Sequence, residues 1–501
     1  MPKEFVTISN YFFAWTKKEL VQKKLLSPLG IIFWILLAAG SGILSAFNLI
    51  LVPFSIAGIL IGIVIVYLCL FKPLTGFYIV NFLSFFIFFP NHVIGRDVLP
   101  SGIIIELLTL FVFMGSVLSI KSKDVYFAGL LKTGVSITFL ILTLYVAIQA
   151  FNPNVDGFDS WLATFKRSIF FILLYISCYC LIDTKEKLRY FIRFWVYLSF
   201  VAAAYGCYQQ WFGYFSFEMN YIMRAPGGYE ILFQGGQLRK FSFLSDVVGF
   251  GVLAGCMALL TLLLAINEKD KIRKYRFYFF SIIMSLGMAY SGTRTTNIII
   301  PAGLVLYFLI TIQNRTTLYA LFIAAIIAIV ILFLPIHNNA TLNRVRSTFD
   351  SQDASFNLRN KNRHQIQPYI YSHPLGGGMG TTNFPGLLNH PNHPLAGFAT
   401  DSGYLKAALE IGWIGLALMI LFNLAILFQG INYYFKMKDK ELKFLLLIIL
   451  CTLFPNIITQ YSQETTGQYP FCIFFFSSLS LMQRLKEFDE NENVLPKQLV
   501  W

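Results

Sequence analysis

Two arginines in this sequence lie next to apolar segments, where a positive charge needs a stabilising partner. Arg239 begins RKFSFLSDVVGFG and Arg294 lies in YSGTRTTN, each at the end of an apolar segment. A charged side chain near hydrocarbon is costly unless it reaches water or a partner, and snorkelling to headgroups is the simplest explanation. A guanidinium also stays charged and pairs with phosphate through a planar fork of hydrogen bonds. Because small polar residues flank both arginines, we interpret them as candidates for binding a phosphorylated ligand.

The polar segment 337–402 holds further candidates. Five of the six histidines lie in it, and so do these basic residues: Arg344, Arg346, Arg359, Lys361 and Arg363. Its motif SHPLGGGMG joins His373 to a glycine run, which allows positive φ and leaves N–H groups free to bind anionic oxygens. No GKS or GKT follows, so the motif is not a Walker loop. A tight turn remains the alternative.

Asp401 and Ser402 open DSGYLKAALEIGWIG, which leads back into an apolar pattern. Both positions are typical of helix N-caps. The other interpretation is that Asp401 acts as a general base or orients one. His390 and His393 in HPNH are the best metal-ligand pair, but prolines disfavour a helix there and no carboxylate or cysteine completes the set. We therefore predict no metal site and no cofactor.

The elements that carry these residues are membrane spans. Apolar residues make up 56% and charged residues 13% of the 501 residues, and the mean hydropathy is +0.65. Soluble domains contain about 25% charged residues. Repeated runs of about 20 apolar residues predict an all-α, polytopic transmembrane helix bundle of about 12–14 spans with one large extracytoplasmic loop. The net charge of +14 falls mainly in short loops, which favours orientation in the bilayer over nucleic-acid binding.

Loop charge also predicts the orientation. The segments 183–189, 267–276 and 436–443 are short and rich in Lys and Arg, as cytoplasmic loops are. Both termini are then cytoplasmic, and the long polar segment is extracytoplasmic. The predicted parts are an N-terminal transmembrane bundle (1–336), an extracytoplasmic, periplasmic loop (337–402) and C-terminal helices with a cytoplasmic tail (403–501). Predicted spans include 30–47, 277–291, 317–336 and 403–430.

Four motifs, taken in order, resemble the O-antigen ligase and O-antigen polymerase family of bacterial membrane glycosyltransferases. They are RKFSFLSDVVGFG, YSGTRTTN, the arginine-rich stretch that ends in SHPLGGGMG, and DSGYLKAALEIGWIG. The last two are similar to the shared patterns hPl.G.G and yl..l.e.G..G of that family. The resemblance covers residues 235–430, and the N-terminal third matches in hydropathy alone.

The resemblance implies a metal-independent enzyme of the bacterial cytoplasmic (inner) membrane. Its donor is an oligosaccharide linked to a polyprenyl pyrophosphate, such as undecaprenyl pyrophosphate. A ligase transfers the glycan to the lipid A–core of lipopolysaccharide, whereas a polymerase extends a surface polysaccharide on another lipid-linked repeat unit. The implied partners are this donor, the glycan or lipid A–core acceptor, the lipid bilayer and a chain-length regulator. No nucleic acid is expected.

The resemblance also assigns roles to residues. It places four arginines on the pyrophosphate: Arg239, Arg294, Arg346 and Arg359. Ligases typically have a histidine just before the yl..l helix as the proposed base, but Asp401 stands there in this sequence. An acidic residue at that place is common in polymerases, so this departure favours a polymerase. Asp401 is then the expected catalytic base, and His373 is the second candidate.

A transporter such as a lipid-linked oligosaccharide flippase is the alternative from another class, since it has a similar number of spans. It should show two related halves and charged residues at the depth of the bilayer centre. This sequence instead has its candidate charges towards one surface and a single long asymmetric loop. A membrane scaffold would not need converging arginines. Both patterns favour the enzyme.

Overall fold

The fold class predicted from the sequence is confirmed. The computed structural model describes residues 51–95, 100–119, 127–225, 227–234, 236–315, 339–346 and 354–492, with isolated residues in 18–35 and 318–329. Within these ranges, nine helices are long and apolar enough to cross a membrane. The predicted spans 30–47 and 317–336 lie almost wholly outside the described residues. The chain is thus an all-α, multi-pass membrane protein.

The first half of the bundle contains the helices α1 (Leu51–Phe71), α2 (Pro73–Phe86), α3 (Phe89–Ile94), α4 (Ser101–Ser119), α5 (Phe127–Leu131), α6 (Gly134–Ile148), α7 (Asp159–Leu181), α8 (Lys185–Phe212), α9 (Ser216–Arg224) and α10 (Gly228–Leu232). A small antiparallel hairpin follows, formed by β1 (Phe233–Gln234) and β2 (Gln237–Leu238). The remaining helices are α11 (Val247–Asn267), α12 (Lys271–Tyr290), α13 (Ile299–Thr311), α14 (Ala340–Arg346), α15 (Ala354–Ser372), α16 (Asn383–Asn389), α17 (Gly403–Glu410), α18 (Gly412–Lys436), α19 (Lys440–Thr459) and α20 (Phe471–Glu492).

Two helices, α11 and α19, lie at the centre of the bundle and pack against each other and against α13. Most of their residues are buried, which explains why α11 is apolar on every side instead of on one stripe. Gly251 allows a close approach to the segment that carries Arg294, because a Cβ there would press against Ser291 Oγ and Thr296. The central helix therefore supports part of the candidate site.

Two breaks in the helices differ from simple spans. After α12, the chain turns at Gly292 with a φ of +61° and continues as a 3₁₀ turn, Arg294–Ile298, into α13. The predicted span 403–430 is wrong as a single helix, because the structure divides it into α17 and α18 at Gly412, whose φ is +71°. A left-handed residue cannot continue an α-helix. Hydropathy does not register this backbone change.

One end of the bundle, which we call the site face, is built from mutually bonded connecting segments. It comprises residues 149–160, 213–225, 227–234, 236–246, 291–298, 340–346, 354–411 and 460–470. Asn152 Nδ2 donates to the carbonyls of Leu375 and Gly376, and Ser402 Oγ donates to Gln460 O at 3.2 Å. Segments far apart in sequence thus form one continuous cap over the helices.

Candidate active site

Arg239 is fixed against the break between α12 and α13. Its Nε donates to Ser291 O at 3.1 Å, and its Nη2 donates to Thr293 Oγ1 at 2.7 Å. Gly292 makes room for the side chain, since a Cβ there would lie 2.9 Å from Arg239 Cγ. The small residues that precede Arg294 in the sequence therefore contact the Arg239 side chain. The two arginine motifs lie side by side in the structure.

The backbone around Arg239 is held by a small apolar core of Ile222, Phe241 and Val247. Tyr214 packs on this core, and its hydroxyl donates to Arg239 O at 2.6 Å. The neighbouring Lys240 is buried with its Nζ 4.6 Å from the centre of the Tyr214 ring. Burial lowers the pKa of this ammonium to about 8, although Glu218 acts in the opposite direction. The loop thus presents Arg239 from a rigid base.

Arg344 on α14, in the long polar segment, also contacts the break between α12 and α13. Its Nε donates to Gly292 O at 3.1 Å, and its Nη2 donates to Gln234 Oε1 at 2.6 Å. The helix packs against α12 and the 3₁₀ turn that begins at Arg294. We call Arg239, Arg294 and Arg344 the arginine cluster. It joins the loop before α11, the break after α12 and the long polar segment.

The cluster carries concentrated positive charge. Burial, followed by the charges of Arg344 and Arg294, lowers the pKa of Arg239 to about 10. The Arg239 guanidinium stays protonated at neutral pH, since this value lies well above 7. Asp246 is the carboxylate that opposes this shift, but its Oδ1 already accepts hydrogen bonds from Val248 N and Gly249 N at the start of α11. An anionic ligand would relieve the repulsion among the arginines.

Arg344 was among the basic residues noted in the sequence but was not assigned to the site, whereas Arg346 was. Residues two positions apart on an α-helix are separated by about 200° around its axis. Arg344 faces Gly292 and Gln234, so the backbone position of Arg346 lies on another side of α14, and the pyrophosphate role of Arg346 stays a prediction. The spacing alone does not indicate Arg344, because the neighbours of α14 decide which of its faces points inward.

Asp401 stands exposed before α17 in a left-handed conformation, with a φ of +49°. Its Oδ2 lies 3.1 Å from Arg359 Nε, so Arg359 contacts the carboxylate. The N-cap of α17 is Ser402, whose Oγ accepts from Leu405 N at 3.3 Å. The capping role considered for both residues thus falls to Ser402. An exposed ion pair contributes about 0–1 kcal/mol, and Asp401 can leave Arg359 at little cost.

The segment 460–462 connects Asp401 to the arginine cluster. Ser462 Oγ donates to Thr295 Oγ1 at 3.1 Å, next to Arg294. Arg363, one helical turn after Arg359, donates to Tyr461 O at 2.8 Å and lies over the Tyr461 ring at 4.2 Å. Gln460 O accepts from the residues that follow Asp401. The carboxylate and the cluster therefore adjoin one short loop.

His373 lies at the other end of α15 from Arg359. Thirteen helical positions separate Arg359 from Ser372, which corresponds to roughly 20 Å along the axis. The His373 ring stacks on Tyr369 with its centre 3.9 Å away, and its Nδ1 lies 2.8 Å from Ser372 Oγ. Because Asp401 contacts Arg359, the two candidate bases lie towards opposite ends of α15.

The glycine run packs against the break between α17 and α18. Gly377 N donates to Leu409 O at 2.7 Å, and Gly378 N donates to Glu410 O at 3.0 Å. A Cβ on Gly412 would overlap Pro374 O, and one on Gly376 would overlap Gly412 N. The run is therefore the tight turn considered as the alternative, since these two N–H groups already have partners. The glycine spacing in both motifs reflects this backbone contact.

The HPNH histidines contact the first turn of α7 and the loop before it. His390 Nε2 lies 2.9 Å from Ser160 Oγ, and His393 Nε2 lies 3.1 Å from Asn154 O while its Nδ1 accepts from Leu395 N. Burial is the main cause that lowers the pKa of His393. Among the residues that the structure describes, no group of three His, Cys, Asp or Glu side chains could hold a metal ion.

The fold and these groups together define a class: a multi-pass helical membrane protein with clustered arginines and a carboxylate at one end. Residues 279–420 match the family model described as O-antigen ligase, which includes Arg294, Arg344 and Asp401 but not Arg239. This match confirms the resemblance seen in the sequence, and residues 279–420 form a region similar to the O-antigen ligase family. The family indicates a ligase-type membrane glycosyltransferase. No curated protein matches the chain.

Proposed function

We propose that this protein is a surface-polysaccharide polymerase. It transfers a glycan from polyprenyl pyrophosphate to a sugar hydroxyl of a second lipid-linked glycan. The observation that carries the proposal is the convergence of Arg239 and Arg344 on Gly292, beside Arg294, within reach of the loop that adjoins Asp401. Three cations suit a diphosphate leaving group, and a nearby carboxylate suits proton removal.

In the proposed reaction, the acceptor hydroxyl oxygen forms a bond to the anomeric carbon of the donor glycan. The bond between that carbon and the pyrophosphate oxygen breaks, and its electron pair leaves with the lipid pyrophosphate. The arginine cluster stabilises the charge that develops on this oxygen. Asp401 takes the hydroxyl proton, and Arg359 orients the carboxylate. No metal or cofactor enters these steps.

The choice of a polymerase over a ligase rests on one position. Ligases of this family typically place a histidine before the helix that corresponds to α17, and this chain has Asp401 there. The preceding histidine, His393, is bonded to Asn154 O and lies before another turn. Transfer to lipid A–core remains the second candidate, because the family description favours it.

The proposed location is the bacterial cytoplasmic membrane with the site face outside. The loops at the other end of the described bundle, 183–189, 267–276 and 436–443, are rich in Lys and Arg. Such loops are retained in the cytoplasm. The donor lipid would then lie among the helices, with its glycan on the outer side.

A reconstitution experiment tests the function. Purified protein is incubated with its lipid-linked repeat unit, with and without lipid A–core, and the products are separated by size. We expect a ladder of longer lipid-linked glycans without added core, and EDTA should not change it. Product that appears only with core would mean a ligase. No product with either acceptor would contradict both candidates.

We expect Asp401→Asn to slow polymer formation by about 10²–10⁴-fold, the range of general-base catalysis. Asparagine tolerates the positive φ of this position, so the fold should be preserved. His373→Ala should retain activity within about threefold, because His373 lies far along α15. Initial rates in membranes with matched protein levels provide the measurement.

Asp159→Asn is the matched control, since Asp159 is another exposed carboxylate on the site face. It should behave as the unmodified protein does. If Asp401→Asn is fully active and His373→Ala is inactive, His373 is the general base and Asp401 has no role in the mechanism.

A further inference from the structure

A cavity of about 410 Å³ lies beside the proposed reaction centre. It is bounded by α6, α7, α17 and α18, by the loop before α20 and by α16. Its lining along α7 runs from Ser160 to Phe171, which corresponds to a depth of about 16 Å. That is half of the roughly 30 Å thickness of a bilayer core. The size is within the range of ligand pockets, about 300–1,000 Å³.

The cavity adjoins the groups assigned to the reaction. Gly403 lines it and follows Asp401 by two residues, and Gln460 lines it and precedes Ser462 by two residues. Ser462 contacts Thr295 next to the arginine cluster. A ligand in the cavity could therefore present a group to Asp401 while another ligand lies on the cluster.

The charges that line the cavity cancel. Arg167 and Lys406 supply two positive charges, and Glu410 and Glu464 supply two negative ones. Lys406 Nζ lies 2.9 Å from Glu464 Oε2. In the arginine cluster, the charges of Arg344 and Arg294 act against that of Arg239, so a diphosphate should prefer the cluster and a neutral polar ligand the cavity.

Both members of that ion pair are charged at neutral pH. Burial disfavours the charged form of Lys406, but Glu464 and Glu410 outweigh it and raise the pKa of the ammonium. Burial likewise acts against ionised Glu464, but Lys406 and Arg167 lower its pKa. These ions and nearby amides offer many donors and acceptors, which a ligand rich in hydroxyl groups could use.

The two ends of the cavity differ in polarity. Thr382, Asn383 and Asn389 lie at the site-face end, while Phe139, Phe422 and Phe476 line the part within the bundle. The Asn389 side chain is exposed and has no hydrogen-bond partner in the described part of the chain. A few polar groups above apolar and aromatic walls are typical of a small-molecule site.

We propose that this cavity is the acceptor site and binds the terminal sugar of the acceptor glycan, while the donor diphosphate occupies the arginine cluster. This inference rests on the proposed function and assigns its two substrates to separate places. The sugar hydroxyl that attacks would lie at the Asp401 end of the cavity. Asn389 and the lining ions would hold the ring.

Binding without turnover tests this assignment. The probes are the free repeat-unit saccharide, released by mild acid from the lipid-linked precursor, and inorganic pyrophosphate. Each is titrated into purified protein, and the rise in thermal midpoint gives its affinity. We expect Asn389→Leu to weaken saccharide binding about tenfold, as loss of one hydrogen bond does, and to leave pyrophosphate binding unchanged. Arg239→Ala should have the opposite pattern.

Ala163→Trp is a second variant, which fills the cavity from α7, where Ala163 is exposed and lines it. It should abolish saccharide binding. The matched controls are Asn392→Leu and Leu162→Trp, since both residues are exposed and neither lines the cavity. Saccharide binding that requires Arg239 but tolerates Asn389→Leu and Ala163→Trp would overturn the acceptor assignment, as would complete absence of saccharide binding. The transferase proposal would still be tested separately by product formation.

Discussion

Arg239→Ala should reduce polymer formation by about a thousandfold, while membrane insertion and protein level stay normal. Removal of one preorganised group that stabilises developing charge costs about 10²–10³-fold in rate, and Arg239 is also held in place by Ser291 and Thr293. Arg239→Lys keeps the charge but loses the planar fork, so we expect an intermediate rate. Rates of chain extension by purified variants in detergent or vesicles provide the measurement.

The control for this experiment is Arg189→Ala. Arg189 is exposed and paired with Glu441 at the other end of the bundle, so its loss should leave the rate unchanged. Inorganic pyrophosphate should raise the thermal midpoint of the unmodified protein and of Arg189→Ala, but not that of Arg239→Ala. Normal chain extension in both Arg239→Ala and Arg294→Ala would remove the diphosphate role of the cluster.

Gly412→Ala should destabilise the protein by about 3 kcal/mol. The left-handed φ of +71° disfavours a side chain by roughly 1–2 kcal/mol, and the added Cβ would overlap Pro374 O, which forces a backbone shift of comparable cost. Since the same contact holds the glycine run against α17, transfer should also fall. Thermal unfolding followed by fluorescence-detected size exclusion measures the first effect.

Gly102→Ala is the matched glycine substitution. Gly102 lies in α4, and no atom lies within 4 Å of a Cβ built there. Alanine is the better helix former, so stability should be equal or slightly higher. A thermal midpoint for Gly412→Ala equal to that of Gly102→Ala would show that the turn adapts. The spacing of the two glycine motifs would then need another explanation.

Separate substrate sites would explain how the active site distinguishes two lipid-linked glycans of similar chemistry. Under this proposal, the cluster would recognise the charge that both substrates carry at their lipid ends. The charge-balanced cavity would recognise hydroxyl groups at the far end of the acceptor. Under this proposal, orientation decides which molecule donates, because only one diphosphate and one terminal sugar can meet at Asp401.

The sequence by itself determined the class of fold and the types of residue at the site. Apolar runs specify membrane helices because the bilayer core contains no water to hydrogen-bond an open backbone. Likewise, Arg239 and Arg294 could be singled out, since a cation near hydrocarbon needs a partner. Both conclusions follow from composition and local pattern.

Only the tertiary structure decided which of these residues meet. Arg344 joins the cluster because α14 presents one face to Gly292, and the neighbouring segments decide which face of a helix points inward. Similarly, His373 and Asp401 are both candidate bases in the sequence, but Asp401 contacts Arg359 while His373 follows the far end of α15. The pairing of Gly376 with Gly412 and the cavity beside Asp401 also arise from segments distant in the chain. Such contacts depend on packing in three dimensions, which local sequence patterns do not encode.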